Sequence, residues 1–312
     1  MKFRTEINIE GPEVKTIDYH SKSLFLGSCF AEHFANRFDY YKLKQNTNPY
    51  GIMYNPVSIA QIFKDLEEHK TYGSKDLLKK GDLYLSLNHH SSWNRTHQDF
   101  LLSEINQEIK AFHEEMNSYS HVFISLGTAW VYKHKLTNQY VGNCHQLPAD
   151  HFEKKLLELN EIKTALRLIV SSFPETTQIS LTLSPVRHLK DGMQENNLSK
   201  SLLRIGIEEM LKEFSNTRYF PSFEILMDDL RDYRFYAKDM VHPSSEAIDY
   251  IWEKFQPIYF TKESLETMKK VKKVVLGLNH KAFNEDSQSH QKFLKNLEKE
   301  KKKLQDSLNI RF

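Results

Sequence analysis

Cysteine is scarce in this sequence, neither sign of charge is in surplus, and long apolar runs are missing. Two cysteines, Cys29 and Cys144, in 312 residues argue against a disulfide scaffold, which a chain of this size does not need. The 43 basic and 41 acidic residues leave a net charge of +2, so composition makes no electrostatic case for nucleic acid as the main partner. No stretch approaches the roughly 18 consecutive apolar residues of a membrane span. The opening segment MKFRTEINIEGPEVKTIDYH has scattered charges and lacks the apolar centre of a secretory leader. Together these absences predict a cytoplasmic protein with neither nucleic acid nor a membrane as partner. With 39% hydrophobic and 27% charged residues, the composition is that of an ordinary globular protein with room for a large core.

Short apolar runs alternate with helical patterns. SLFLG (23–27), HVFISLG (121–127), QISLTLSPV (178–186) and, more weakly, RYFPSFEIL (218–226) read as strands, the first three as strands buried on both faces. Between them, 29–38, 55–69, 103–119, 149–172, 194–216 and 244–258 read as helices. The alternation predicts an α/β fold with a largely parallel sheet. LYLSLNHHSSW (83–93) and residues 129–147 read as insertions, the second a hairpin turning near Leu136-Thr137-Asn138. Insertions after sheet strands fall over the carboxyl edge, where open α/β sheets bind ligands. Beyond residue 261 the chain becomes lysine- and glutamate-rich. Domain boundaries of 1–261 and 262–312 follow, the second a solvated helix or short coiled coil.

Two segments carry chemistry. Gly27-Ser28 follows the first strand and opens a helix. A serine there caps the helix for about 1 kcal/mol, or presents a nucleophile where helix amides can hold an oxyanion. Cys29 is either a rival nucleophile or a small core residue, about 100° around the helix from Ser28. Far downstream, Asp239 and His242 stand as D-x-x-H just before a helix started by Pro243-Ser244. A carboxylate three residues before a histidine can orient the ring, leaving its other nitrogen for a serine hydroxyl. His90, His145 and His188 are histidines near strand ends, but their spacing fits no standard metal signature, and no metal or cofactor is expected. Trp93, Trp130 and Tyr132 offer either a stacking surface for a sugar ring or core packing.

A serine after the first strand with D-x-x-H before the last helix is the layout of the SGNH (GDSL-like) hydrolases. The strings GSCFAEHF, NPYGIMYNPVSI, SLGTAWVY, GNCHQLPA, LTLSPVRHLKDG and YFPSFEILMDDLRDYRFYAKDMVHPS closely resemble the GSCFA-domain family, a bacterial branch related to those enzymes, over residues 20–260. The resemblance implies a three-layer α/β/α sandwich, flavodoxin-like, with about five parallel strands. It implies Ser28 as nucleophile, His242 as general base and acid, and Asp239 as the residue holding the imidazole. Ser28, Gly51 and either Thr128 or Asn143 would supply the oxyanion hole, since this chain reads Gly127-Thr128-Ala129-Trp130 where related hydrolases have Gly-x-Asn-Asp. His90, Trp130, His145, Arg187 and His188 would line the substrate pocket. The function expected is hydrolysis of a short acyl ester on a carbohydrate or similar small molecule. Acyl transfer by the same residues, or ligand binding without turnover, are the alternatives.

Overall fold

Six-residue apolar segments with residues such as Ile, Leu, Phe and Val, each bounded by a turn, are short enough to cross a buried sheet once and too short to cover it as helices. In the computed structural model, which describes residues 4–9, 16–281, 283–284 and 286–312, three of them form the centre of the main sheet. They are β1 (Lys22–Gly27), β5 (His121–Leu126) and β9 (Gln178–Leu183), flanked by β2 (Lys44–Thr47) and β10 (Thr217–Tyr219). The order is β10-β9-β5-β1-β2, with every pairing parallel. This is the flavodoxin-like order, and it places the topological switch point between β1 and β5.

Alternate residues of the strands feed two cores. Leu24, Leu26, Val122, Ile124, Leu126, Ile179 and Leu181 pack beneath α2 (Pro56–Glu67), α3 (Gln98–Glu115), α4 (Leu159–Ser171) and α5 (Met193–Glu213). Phe25 and Phe123 stack at 4.9 Å on the other face, under α1 (Cys29–Tyr40) and α7 (Ser245–Tyr259). The result is a three-layer sandwich. A short α6 (Ser222–Glu224) continues into a π-helical stretch, Ile225–Leu230. The chain ends in an antiparallel hairpin of α8 (Lys262–Leu278) and α9 (Gln288–Leu308). Its base, Met268, Val271, Val274 and Leu304, belongs to the aromatic core.

Both insertions lie outside the main sheet. Residues 83–93 contribute β4 (Leu83–Leu85), paired with β3 (Leu78–Lys80), and a 3-10 turn at Ser91–Trp93. The second insertion is the expected hairpin, β6 (Trp130–His134) and β7 (Gln139–Val141), joined by a third antiparallel strand, β8 (Phe152–Leu156). Two expectations require correction, and one strand was not foreseen. The helix expected from residue 149 starts only at Leu159, because FEKKL is drawn into the small sheet by pairing with β6. The strand expected over 218–226 stops at Tyr219, since Pro221 removes a ladder donor and the chain turns into α6. β2, KQNT, has no apolar run to reveal it because it forms the edge of the sheet. The reading of the first twenty residues as leader-free falls partly on positions outside the described ones.

Gly27 sits where β1 must come closest to β5. Its φ is +117°, and a Cβ there would lie 2.1 Å from the Ser125 carbonyl oxygen. Neither the backbone angle nor the space admits a side chain. Gly27→Ala is expected to destabilise the fold by on the order of 4 kcal/mol, the upper range for single substitutions. Urea unfolding measures this, and an unchanged midpoint would show that the approach can relax.

Candidate active site

Ser28 leaves β1 with φ −74° and ψ 172° and caps α1, its Oγ accepting from the Phe30 amide at 3.3 Å. Its own N–H donates to Ser125 O at 3.0 Å, and its Oγ lies 2.8 Å from Ser125 Oγ. Three further bonds pin this turn. Gly27 N–H donates to Asn48 Oδ1 at 2.8 Å, Met53 N–H donates to Gly27 O at 3.1 Å, and Asn48 N–H donates to Phe25 O at 2.9 Å. Ser28 is therefore buried, 1% exposed, but it still borders a cavity at the carboxyl edge of the sheet.

That cavity encloses about 590 Å³. Its floor includes Ser28, Cys29, Tyr54 and Thr128, and its roof is the small antiparallel sheet with Trp130, Tyr132, Val141 and Phe152. Lys154 of β8 closes one side by reaching Asp191 at 2.5 Å while its ammonium lies over the Trp130 ring. Of the two readings of Cys29, the core residue is not the one found. It is half-buried, shares the cavity with Ser28, and its Sγ lies 3.6 Å from the Tyr54 hydroxyl. Cys144 also lines the cavity, and burial raises its thiol pKa to about 11, so it stays protonated.

The D-x-x-H spacing has a local cause. Asp239 Oδ1 accepts from the amides of Val241 (2.9 Å) and His242 (3.0 Å), an Asx turn in which Met240 takes a positive φ of 57°. The turn swings the His242 ring back over the same carboxylate, and its Nδ1 lies 2.7 Å from Asp239 Oδ2. These bonds, the backbone donors first, hold the Asp239 pKa down at about 2, so the carboxylate is ionised. The loop is tied to the sheet edge by Arg187 N–H, which donates to Val241 O at 3.0 Å, and it leads directly to Ser244, the N-cap of α7. His242 lines the same cavity as Ser28. No hydrogen bond joins the two among the described residues; the Ser28 hydroxyl points to Ser125 instead.

The remaining predicted residues divide. Thr128, Trp130, Asn143 and His188 line the cavity. His90, His145 and Arg187 do not. His90 caps the 3-10 turn at 91–93, and His145 is buried with Nε2–H donating to Ser86 O at 2.8 Å. Arg187 is buried with its guanidinium against the sulfurs of Met227 and Met193. Trp93 packs on the main core beside His89 rather than at the cavity. Two expected oxyanion donors are already engaged: Gly51 N–H donates to Asn48 O at 2.7 Å, and Ser28 N–H donates to Ser125 O. The Thr128 hydroxyl accepts from Trp130 N–H at 3.0 Å and meets Ser199 Oγ at 3.1 Å. Asn143 is different. Its Oδ1 accepts from His145 N–H at 2.7 Å, which fixes the carboxamide and leaves Nδ2 a donor without a partner among the described residues. The Cys29 amide, first in α1, has no backbone acceptor among the described residues.

Sequence reasoning did not single out Ser125, Tyr54 or Lys200. Lys200 of α5 is fully buried without a carboxylate in contact, and its Nζ donates to Gly127 O (3.1 Å) and Ser184 O (2.7 Å), tying the ends of β5 and β9 together. Burial, helped by nearby Arg187, lowers its pKa to about 7. His188, which lines the cavity, feels the charge of this lysine. Its Nε2 is buried and unpartnered among the described residues, as is Trp130 Nε1. Gly127 makes the close approach possible, since a Cβ there would stand 3.1 Å from that nitrogen. Burial, then Lys200, lowers the His188 pKa to about 4.

A histidine with a folded pKa below its unfolded value of about 6.5 contributes stability above pH 6.5 that is lost as pH falls toward 4. For His188 the loss is about 3 kcal/mol. His121 (to about 4) and His89 (to about 3), also lowered chiefly by burial, add to it. Urea midpoints are expected to fall steadily from pH 6.5 to pH 4, and His188→Gln is expected to flatten that slope. Parallel profiles for the two proteins would contradict a buried neutral His188.

A family model described as the GSCFA family matches residues 22–255, from β1 into α7, and so takes in both Ser28 and the Asp239–His242 loop. A second, described as the C-terminal domain of GSCFA domain proteins, matches residues 271–312, most of the helical hairpin. No curated protein matches the chain. With three quarters of its length matched, the chain belongs to the GSCFA family.

Proposed function

We propose that this protein hydrolyses a short acyl ester through an acyl-enzyme on Ser28, in the manner of the SGNH hydrolases. One observation carries the reading: Ser28, at the carboxyl end of the first parallel strand, and His242, some 210 residues later and held by Asp239 behind its ring, border one cavity at the switch point of the sheet. Ionised Asp239 fixes the tautomer with the proton on His242 Nδ1, which leaves Nε2 as the base. Rotation of Ser28 about χ1 exchanges its bond to Ser125 for one to that nitrogen. The Oγ then attacks the acyl carbon while its proton passes to His242 Nε2. The carbonyl electron pair moves onto oxygen, held by the Cys29 amide and Asn143 Nδ2. Collapse expels the alcohol, which takes the proton from His242, and water repeats the sequence to release the acid.

The cavity walls favour a polyol or carbohydrate as the alcohol. Trp130 and Tyr132 offer ring faces on which a sugar can stack. The Ser28–Ser125 bond favours a second reading, in which Ser28 only caps its helix and the cavity binds ligand without turnover. One set of measurements separates the two. Wild-type protein is expected to be labelled by a fluorophosphonate and to hydrolyse p-nitrophenyl acetate. Ser28→Ala should abolish labelling, and His242→Asn should lower kcat by about 10²–10⁴ with the fold intact by circular dichroism. Equal hydrolysis by wild type and Ser28→Ala would overturn the enzymatic reading.

A further inference from the structure

The α8–α9 hairpin is anchored at its base and bare at its tip. Leu297 of α9 packs against Gly277 near the end of α8, and the His280 and Phe293 rings lie 5.7 Å apart, so the end of α8 lies beside the first turns of α9. At this end of the hairpin Leu276, Leu278, Phe283, Phe293 and Leu294 are all exposed, at 55%, 45%, 112%, 39% and 41%. Among the described residues no other segment gathers so many bare apolar side chains. Single exposed leucines are ordinary; five at the point of a projecting hairpin are not.

Charge identifies the occupant. Between residues 272 and 299 the sequence holds six lysines against three acids. All six lysines, at positions 272, 273, 281, 292, 295 and 299, are exposed. Across residues 262–312, thirteen basic residues face seven acidic ones, although the whole chain carries only +2. A second copy of the chain would bring two lysine collars together, and like charges oppose that contact. An anionic lipid surface accepts both features, since apolar side chains enter the headgroup boundary while lysines pair with lipid phosphates. We infer that the tip of the α8–α9 hairpin docks the protein on an anionic membrane surface. This is peripheral binding: no helix among the described residues is long and apolar enough to cross a membrane. It departs from the expectation of no membrane partner, which considered spans rather than surfaces.

The test is co-sedimentation of the full chain with vesicles of phosphatidylcholine alone or with 40% phosphatidylglycerol, where ~0.5 M salt screens the charge term. Wild type should pellet with the anionic vesicles and not the neutral ones, and high salt should reduce binding at least fivefold. Phe283→Ser/Phe293→Ser/Leu294→Ser should reduce it at least tenfold, with circular dichroism unchanged. Lys281→Gln/Lys292→Gln/Lys295→Gln should lose the preference for anionic lipid. Wild type remaining in the supernatant with both vesicles, or the apolar variant binding as wild type does, would overturn the inference. A concentration-dependent dimer abolished by the apolar variant, with no vesicle binding, would overturn it in favour of self-association.

Discussion

The structure turns on a close backbone approach at the switch point of the sheet, where Gly27 and Ser28 pass within hydrogen-bonding distance of Ser125. Gly27 has no Cβ to collide with the Ser125 carbonyl, so the Ser28 amide can donate to it. That bond closes the carboxyl end of the β1–β5 seam and directs the chain into α1. It also turns the Ser28 side chain to the floor of the cavity. Asn48, Met53 and Phe25 lock the same turn from the other side. A rigid strand end, rather than a loop, therefore presents the hydroxyl, the arrangement that fixes a side chain most accurately.

The other parts of the site are tied back to the same edge. The Asx turn at Asp239 carries His242, and Arg187 N–H fastens that turn to the end of β9. Lys200 draws together the carbonyls of Gly127 and Ser184 beneath it. The roof comes from the second insertion, whose three-stranded sheet exists only because β8 joins the β6–β7 hairpin. Burial keeps His188 neutral, while backbone donors keep Asp239 charged. The neutral His188 lines the cavity, and the charged Asp239 stands behind His242, which lines it too.

The sheet centre was legible because strands buried on both faces must be apolar, and SLFLG, HVFISL and QISLTL are. β2 was not, since an edge strand has one side free of pairing and KQNT needs no apolar residues. β8 was not, because FEKKL has no strong period of its own and takes its conformation from β6. In the site, Ser28 and the Asp239–His242 pair were visible because caps and Asx turns leave short-range spacing in the chain. Ser125 and Lys200 were hidden, one as a small residue inside a strand and the other as one lysine among many on a helix.

By itself, then, the sequence determined the alternating α/β order, the cap at Ser28 and the turn that sets His242 on Asp239, because each depends on residues a few positions apart. Tertiary structure alone decided that Ser28 faces Ser125, that Cys29 shares its cavity, and that Gly51 and the Ser28 amide are engaged elsewhere. It also decided that Asn143 is left with a donor unpartnered among the described residues and that five apolar side chains stay exposed at one end of a hairpin. These outcomes depend on which strands become neighbours and which donors find acceptors first. Both are settled by packing between segments tens to hundreds of residues apart, where local spacing carries no signal.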